Sequence, residues 1–333
     1  MSPIKKHAKV EEPKNSWITY RPEIKVLDCT IRDGGLINDH QFGDEFIRAV
    51  YDTCAAAGVD YMEMGYKASK RVFSRVDHGP WKFCDEDDLR RMVGDQPHPD
   101  LKLCVMADAE RTDYHEDILP KEQSVLSCIR VATYIHQIPT AVDMIQDAHD
   151  KGYETTCNIM AVSAVREHEL REALAALTKS PVEVIYVVDS YGSLYSEQVR
   201  DLVHLYRRAI EGTGKELGIH THNNQQLAFA NTIEAVILGV NRLDATINGF
   251  GRGAGNCPME LLLGFLRNPK FDQRPVIECI VKNFLPLAKK LDWGYSIPYM
   301  ISGQLNRHPR EAMELRESHR KDDYLAFYDR MME

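Results

Sequence analysis

The residues with the most chemistry to offer are two short segments far apart in the chain: Thr30-Ile31-Arg32-Asp33-Gly34-Gly35 and His220-Thr221-His222-Asn223-Asn224. Each closes a short apolar run with strand character. In a strand, residues i and i+2 point the same way, so His220 and His222 offer two imidazoles to one point. Asp33 can add a carboxylate. Two His and one carboxylate, with positions left open, form a common catalytic set for a divalent ion. Each part has a plainer reading alone. An isolated His-x-His is more often structural, and Asp33 could cap a following helix. Arg32, Gly34 and Gly35 suggest a tight loop that lets a ligand approach the backbone.

A fold must bring these segments together. Short runs rich in β-branched and aliphatic residues predict strands at 25–30, 59–65, 101–106, 128–133, 154–160, 183–189, 217–222 and 242–248. Helical spacing fills the gaps at 44–57, 139–151, 166–178, 196–211, 225–238 and 258–267. Strand–helix alternation implies parallel strands and right-handed crossovers. Eight such units have the size of a (β/α)8 TIM barrel, an α/β fold. A doubly wound open sheet is the alternative, but no G-x-G-x-x-G follows the first strand. The expected division is a polar N-terminal arm over 1–23, a barrel over 24–267 and a helical C-terminal extension over 268–333. The extension carries Trp293, Tyr295, Tyr299, Tyr324, Phe327 and Tyr328. These aromatics must be buried against the barrel, the active site or a partner. The loop 66–84 mixes basic and aromatic residues and would lie at the catalytic face as a lid or substrate contact.

Composition narrows the function classes. The 333 residues are 44% hydrophobic and 27% charged, ordinary for a soluble globular protein. A net charge of −9 argues against a nucleic-acid or anionic-membrane surface. No apolar run approaches a membrane span, and the first 22 residues have no signal-peptide core. The eight cysteines are scattered without a Cys-x-x-Cys pair, which fits a reducing cytoplasm.

Barrel active sites sit at the C-terminal strand ends, and the polar residues gather there. They are Arg32 and Asp33 on strand one, Glu63 on strand two and Arg130 on strand four. Asn158 stands on strand five, Asp189 and Ser190 on strand six, His220 and His222 on strand seven, and Asn248 on strand eight. Glu63 suits either an ion pair with Arg130 or a catalytic role. Asp189 could serve substrate or hold a turn with Gly192. The glycines of 249–255 are a plain loop or an anion nest, and Arg252 is a solvated charge or a carboxylate clamp.

Leu27-Asp28-Cys29-Thr30-Ile31-Arg32-Asp33-Gly34-Gly35 resembles the signature of the DRE-TIM metallolyases. That superfamily holds 4-hydroxy-2-oxovalerate aldolase, HMG-CoA lyase, the isopropylmalate and homocitrate synthases, and pyruvate carboxyltransferase domains. His220-Thr221-His222-Asn223-Asn224 resembles its His-x-His-Asn segment, and Gly251-Arg252-Gly253-Ala254-Gly255-Asn256 its Gly-rich loop. The resemblance spans roughly 24–265, and the tail is similar in size to that of the oxovalerate aldolases. It implies Asp33, His220, His222 and Asn256 as ligands of Mn2+, Mg2+, Co2+ or Zn2+, with Arg32 holding an enolate oxygen. It implies a metal-dependent aldolase or lyase working through the enolate of pyruvate or a similar 2-oxo acid, with an aldehyde or acyl partner substrate. By analogy only, it extends to a homodimer and a partner dehydrogenase. A Claisen-type acyl-CoA synthase and an inactive barrel serving as a partner protein are the alternatives. One departure stands out: the oxovalerate aldolases carry a catalytic His three residues after the aspartate, and this chain has Leu36. His40, Tyr299, His308 and a bound water are the candidate bases. Glu63 is a further catalytic candidate, and Arg130, Asn158, Asp189, Asn248 and Arg252 are candidates for substrate binding.

Overall fold

The computed structural model describes residues 23–333. The expected arm over 1–23 therefore lies, but for Glu23, outside the described residues. Eight strands run β1 Lys25–Asp28, β2 Tyr61–Tyr66, β3 Lys102–Asp108, β4 Cys128–Thr133, β5 Glu154–Ile159, β6 Val184–Asp189, β7 Glu216–Thr221 and β8 Arg242–Ala245. They form a closed parallel barrel in chain order. Leu27 of β1 pairs with Tyr61 of β2 on one side and Asp244 of β8 on the other, which closes the ring. The (β/α)8 barrel expected from the alternating pattern is present.

The helix Asp44–Ala57 begins and ends where its apolar face predicts, and Gly58 stops it at φ 72°. Helices Ile138–Asp150, Glu167–Leu177, Ser196–Ile210, Ala228–Ile237 and Met259–Leu266 follow their strands close to expectation. Two places differ. Strand eight, expected to run to 248, stops at Ala245. Asn248 takes φ 58°, a left-handed conformation that Asn tolerates and a strand does not. Strand one, expected to run to 30, stops at Asp28, and the tight loop expected around Asp33 is a short helix Thr30–Gly34 with Gly35 also helical. The two glycines are there for space: a Cβ on Gly34 would lie 2.0 Å from the Phe250 ring, and one on Gly35 would lie 2.0 Å from His40.

Apolar side chains pack in two shells. The larger lies between strands and helices, with Ile47, Val50, Ile145, Leu174, Val203 and Leu262 among its members. The smaller fills the barrel with Leu27, Cys29, Tyr61, Cys104 and Cys128. All eight cysteines are buried and free, and a buried free Cys packs as a small hydrophobe. Gly218 lets the Tyr186 ring cross the interior, since a Cβ there would meet it at 2.4 Å. Beneath, Arg242 pairs with Glu154 at 2.9 Å and Glu216 at 2.5 Å and plugs the far end.

The tail is helical at Gln273–Cys279, Ile297–Gln304, Arg310–Glu317 and Tyr324–Met332. Tyr299, Ile301, Phe327 and Met331 pack with Ala254 of the Gly-rich stretch. Trp293 stands edge-on to Phe250, with ring centroids 4.8 Å apart. The tail thus braces the loop after β8. Tyr295 and Tyr328 remain exposed. Among the described residues no helix is long and apolar enough to cross a membrane.

Candidate metal centre

Alternation along the strands decides which side chains enter the barrel. On β7, Gly218, His220 and His222 share the inner side. On β8, Arg242 and Asp244 do. The short helix after β1 turns Arg32 and Asp33 onto the same mouth. The Asp33 Oδ2 atom lies 3.8 Å from His220 Nε2 and 3.8 Å from His222 Nε2. Donors on bonds of about 2.0–2.2 Å can stand at most about 4.4 Å apart, so these three can share one ion. All three are buried.

Each donor is aimed by its neighbours. Asp33 Oδ1 accepts from the Arg252 backbone N–H at 2.9 Å and from Asn256 Nδ2 at 3.1 Å. Its Oδ2 accepts from Arg32 Nη1 at 2.5 Å. Burial alone would raise this carboxyl. The adjacent Arg32 guanidinium foremost, with Arg252, outweighs burial and holds it far below the usual carboxylate range. His220 Nδ1 lies 3.0 Å from Asp244 Oδ2. A proton on Nδ1 leaves the Nε2 lone pair free, and buried Nε2 has no hydrogen-bond partner. Burial drives the His222 imidazole well below its usual pKa, so it stays neutral. Asn256 gives its amide N–H to Asp33, and its buried Oδ1 is likewise unpartnered. Two orphaned buried acceptors facing a carboxylate are costly as they stand; a cation would satisfy both. The donor set fits a divalent ion.

Behind the ligands runs a row of buried charges. Arg32 Nε donates to Glu63 Oε2 at 2.7 Å, and Arg130 Nη1 lies 3.0 Å from the same oxygen. Arg130 Nη2 donates to Asp244 Oδ2 at 2.5 Å. Glu63 and Arg130 therefore form the ion pair that was one reading of them. Arg130 also lies 4.6 Å from the Tyr186 ring centre and is fully buried beneath the mouth.

The remaining expected residues scatter more widely. Asn158 points inward from β5, with Oδ1 3.3 Å from Thr156 Oγ1. The Asp189 carboxylate accepts from the Ser193 and Leu194 backbone at 2.9 and 3.2 Å and holds a turn. Burial raises it to about 6. Asn248 serves the loop: its N–H donates to Glu260 and its carbonyl accepts from Trp293. The Gly-rich stretch offers its Arg252 N–H to Asp33, so that donor of the expected nest is taken up within the chain. The Arg252 guanidinium faces the site, 2.9 Å from the Ser190 carbonyl and 3.4 Å from His222 Nε2. Its Nη1 lies 2.9 Å from His308 Nε2. Burial and Arg252 lower His308 to about 4. Tyr299 is pushed up to about 12 by burial, and its nearest charges are Asp292, Arg316 and Glu317 of the tail. His40 is sealed, with neither ring nitrogen hydrogen-bonded, and burial lowers it to about 3.

Sequence reading missed three residues. Asp244 lies inside an ordinary strand pattern; its sole signal is a charge at an inward position. Asp108 ends β3 on the inner side shared by Cys104 and Met106. Burial raises its carboxyl, opposed by Lys82, Arg111 and Arg32. Lys82 sits in the loop after β2 and is buried.

A family model described as HMGL-like matches residues 23–275. The oxaloacetate decarboxylase of Mycobacterium tuberculosis is 31% identical over 257 residues, 75% of this chain and 71% of that one. A 4-hydroxy-2-oxovalerate aldolase of Rhodococcus jostii is 28% identical over 251 residues, with the same 75% and 71% coverage. The N-terminal domain of a Bacteroides vulgatus protein, provisionally an aldolase, superposes with TM-score 0.76 at 28% identity, covering 89% of this chain and 97% of that one. The HMG-CoA lyase of Brucella melitensis shares the fold at TM-score 0.64 and 14% identity, covering 80% and 99%. With the Asp-His-His mouth in place and the family matched across the barrel, this chain belongs to the HMGL-like, or DRE-TIM, family of carbon–carbon lyases.

Proposed function

We propose that this protein is a divalent-metal-dependent aldolase or lyase that makes or cleaves a carbon–carbon bond through the enolate of pyruvate or a similar 2-oxo acid. The carrying observation is the convergence of Asp33, His220 and His222 beside Arg32. Asp33, the two His and Asn256 would hold the ion. When bound, it supplies Lewis-acid stabilisation of charge on a carbonyl oxygen. Arg32 has two nitrogens committed to Glu63 and Asp33. Its remaining Nη2 group is free to donate to an enolate oxygen, a fixed charge that needs no proton transfer. Glu63 and Asp244 orient Arg32 and His220 from behind.

Cleavage also needs a base at the mouth. Leu36 has no proton to move, His40 is sealed, the Tyr299 ring belongs to the tail, and His308 Nε2 is taken up by the Arg252 guanidinium at 2.9 Å. We assign proton transfer to Asp108. Its carboxyl makes no hydrogen bond among the described residues, and burial raises it toward the working range of a base. The test is metal binding and pyruvate-dependent aldol cleavage in Asp33→Asn and His220→Ala. Both variants should lose metal and activity. Retention of metal by both would end the proposal.

A further inference from the structure

The loop 67–85 carries four Lys and Arg residues besides Lys82, and each of the four meets a carboxylate. Lys70 and Arg75 pair with Asp85, and Arg71 with Asp113 and Glu116. Lys67 donates to the Cys84 carbonyl at 2.7 Å and stands 3.9 Å from Glu86. Lys82 has no such partner. It is 7% exposed, and among the described residues its ammonium has neither a hydrogen bond nor an ion pair within 4.0 Å. Instead Nζ lies 4.4 Å from the Tyr66 ring centre and 4.2 Å from that of Phe73. Two aromatic faces offset part of an ammonium's desolvation. They leave its three N–H donors open.

The cage is built and joined to the metal centre. A bulge in β2 between Glu63 and Tyr66 turns Tyr66 toward the site. The loop is pinned by Ser69 N–H to the Arg111 carbonyl and Gly79 N–H to the Asp39 carbonyl, both at 2.8 Å. Tyr66 packs with Met106 and Ala132, the inward residues near the ends of β3 and β4, and Leu36 and Phe73 pack on them. Leu36 lies three residues beyond Asp33. An apolar floor therefore runs from the cation site to the caged ammonium. Asp108 and Arg111 are the charges nearest Lys82. Asp39 acts on it as well, so with Lys82 the four charges balance, and the attraction for an anion rests on the ammonium's open N–H donors.

We propose that Lys82 is an anion subsite, taking a terminal carboxylate or phosphate that the substrate carries at the far end of an apolar chain from its 2-oxo acid. This rests on the metal-centred reading above. It assigns the second substrate fragment a charge, where a simple aliphatic aldehyde has none.

The test uses the full chain loaded with Mn2+ and four ligands read by calorimetry. Oxalate reports on the metal centre alone. The six-carbon 2-oxohexanoate has an apolar end, 2-oxoadipate adds a carboxylate, and 2-oxo-5-phosphonopentanoate adds a phosphonate. A hydrogen-bonded ion pair in a partly buried site should make one or both charged ligands bind about tenfold or more tighter than 2-oxohexanoate. The tighter of the two identifies the natural group. Lys82→Met should bring that ratio close to one, and Lys82→Arg should restore most of it. If oxalate binds but the three longer ligands bind alike, the subsite is overturned. So it is if Lys82→Met keeps the preference. Failure of oxalate to bind would instead remove the metal-centred reading, and this subsite with it.

Discussion

Asp244 is the residue on which the row of buried charges and the metal donors both depend. Its Oδ2 accepts from Arg130 at 2.5 Å and faces His220 Nδ1 at 3.0 Å. The row holds Asp33, Glu63 and Asp244 against Arg32 and Arg130, three negative charges against two positive. That is one net negative charge, which a divalent ion overbalances. Asp244→Asn keeps the shape and one acceptor but takes the net charge to zero. It also weakens the aim of His220. Loss of a carboxylate behind a metal-binding His costs about 10–100-fold in affinity, or about 1.4–2.8 kcal/mol. Arg130 keeps Glu63 at 3.0 Å, so the fold should lose only about 1–3 kcal/mol. Mn2+ titration followed by electron paramagnetic resonance, beside a urea denaturation curve, reads the two quantities separately. A folded Asp244→Asn protein that binds Mn2+ as tightly as wild type would refute the reasoning. Asp244 would then be a structural partner of Arg130 and nothing more.

Two further outcomes follow from the mouth. Asp108→Asn should lower kcat while leaving Mn2+ affinity unchanged. It should also remove the limb of the pH–rate profile on which activity falls as this carboxylate becomes protonated; wild-type kcat would dismiss Asp108 as the base. His40 affects the pH dependence of stability. Its folded pKa of about 3 lies below the unfolded value near 6.5, so its contribution is fully present above about pH 6.5 and is lost as pH falls. At the limit this is about 1.4 kcal/mol per pH unit. His40→Asn suits the left-handed φ of 60° and should remove that share of the slope between pH 6.5 and 5 in urea denaturation. An unchanged slope would show that the buried ring titrates normally.

The residues legible in the sequence share one property: their signal is local. The helix Asp44–Ala57 shows its period and its Gly58 stop within one window. His220-Thr221-His222 shows its shared face in three residues. Asp244, Asp108 and Lys82 were hidden because what they do is defined only across strands. Asp244 matters through His220 on the neighbouring strand β7 and through Arg130, which reaches across the barrel from β4. Lys82 matters because its neighbours' carboxylates pair with other cations, and no linear pattern shows which ammonium is left over. The short helix at 30–34 escapes a local reading for a related reason. Its two glycines resemble flexible turn residues, but they are there because Phe250 and His40 occupy the space of a side chain.

Leu36 links the metal centre to the β2–β3 side of the mouth. Where the oxovalerate aldolases hold a catalytic His, this chain places an aliphatic residue that packs on Tyr66, Met106 and Ala132. Such an exchange removes a proton carrier from one side of the ion and extends an apolar surface toward Lys82. If bond cleavage still occurs there, the proton must leave from another direction, and the wall that carries an unpartnered carboxyl is the end of β3. The same exchange lines the path from the cation site with an apolar side chain. On the proposed reading, the proton acceptor Asp108 and the caged ammonium of Lys82 then stand together on the β2–β3 side of the mouth, away from the edge of β1.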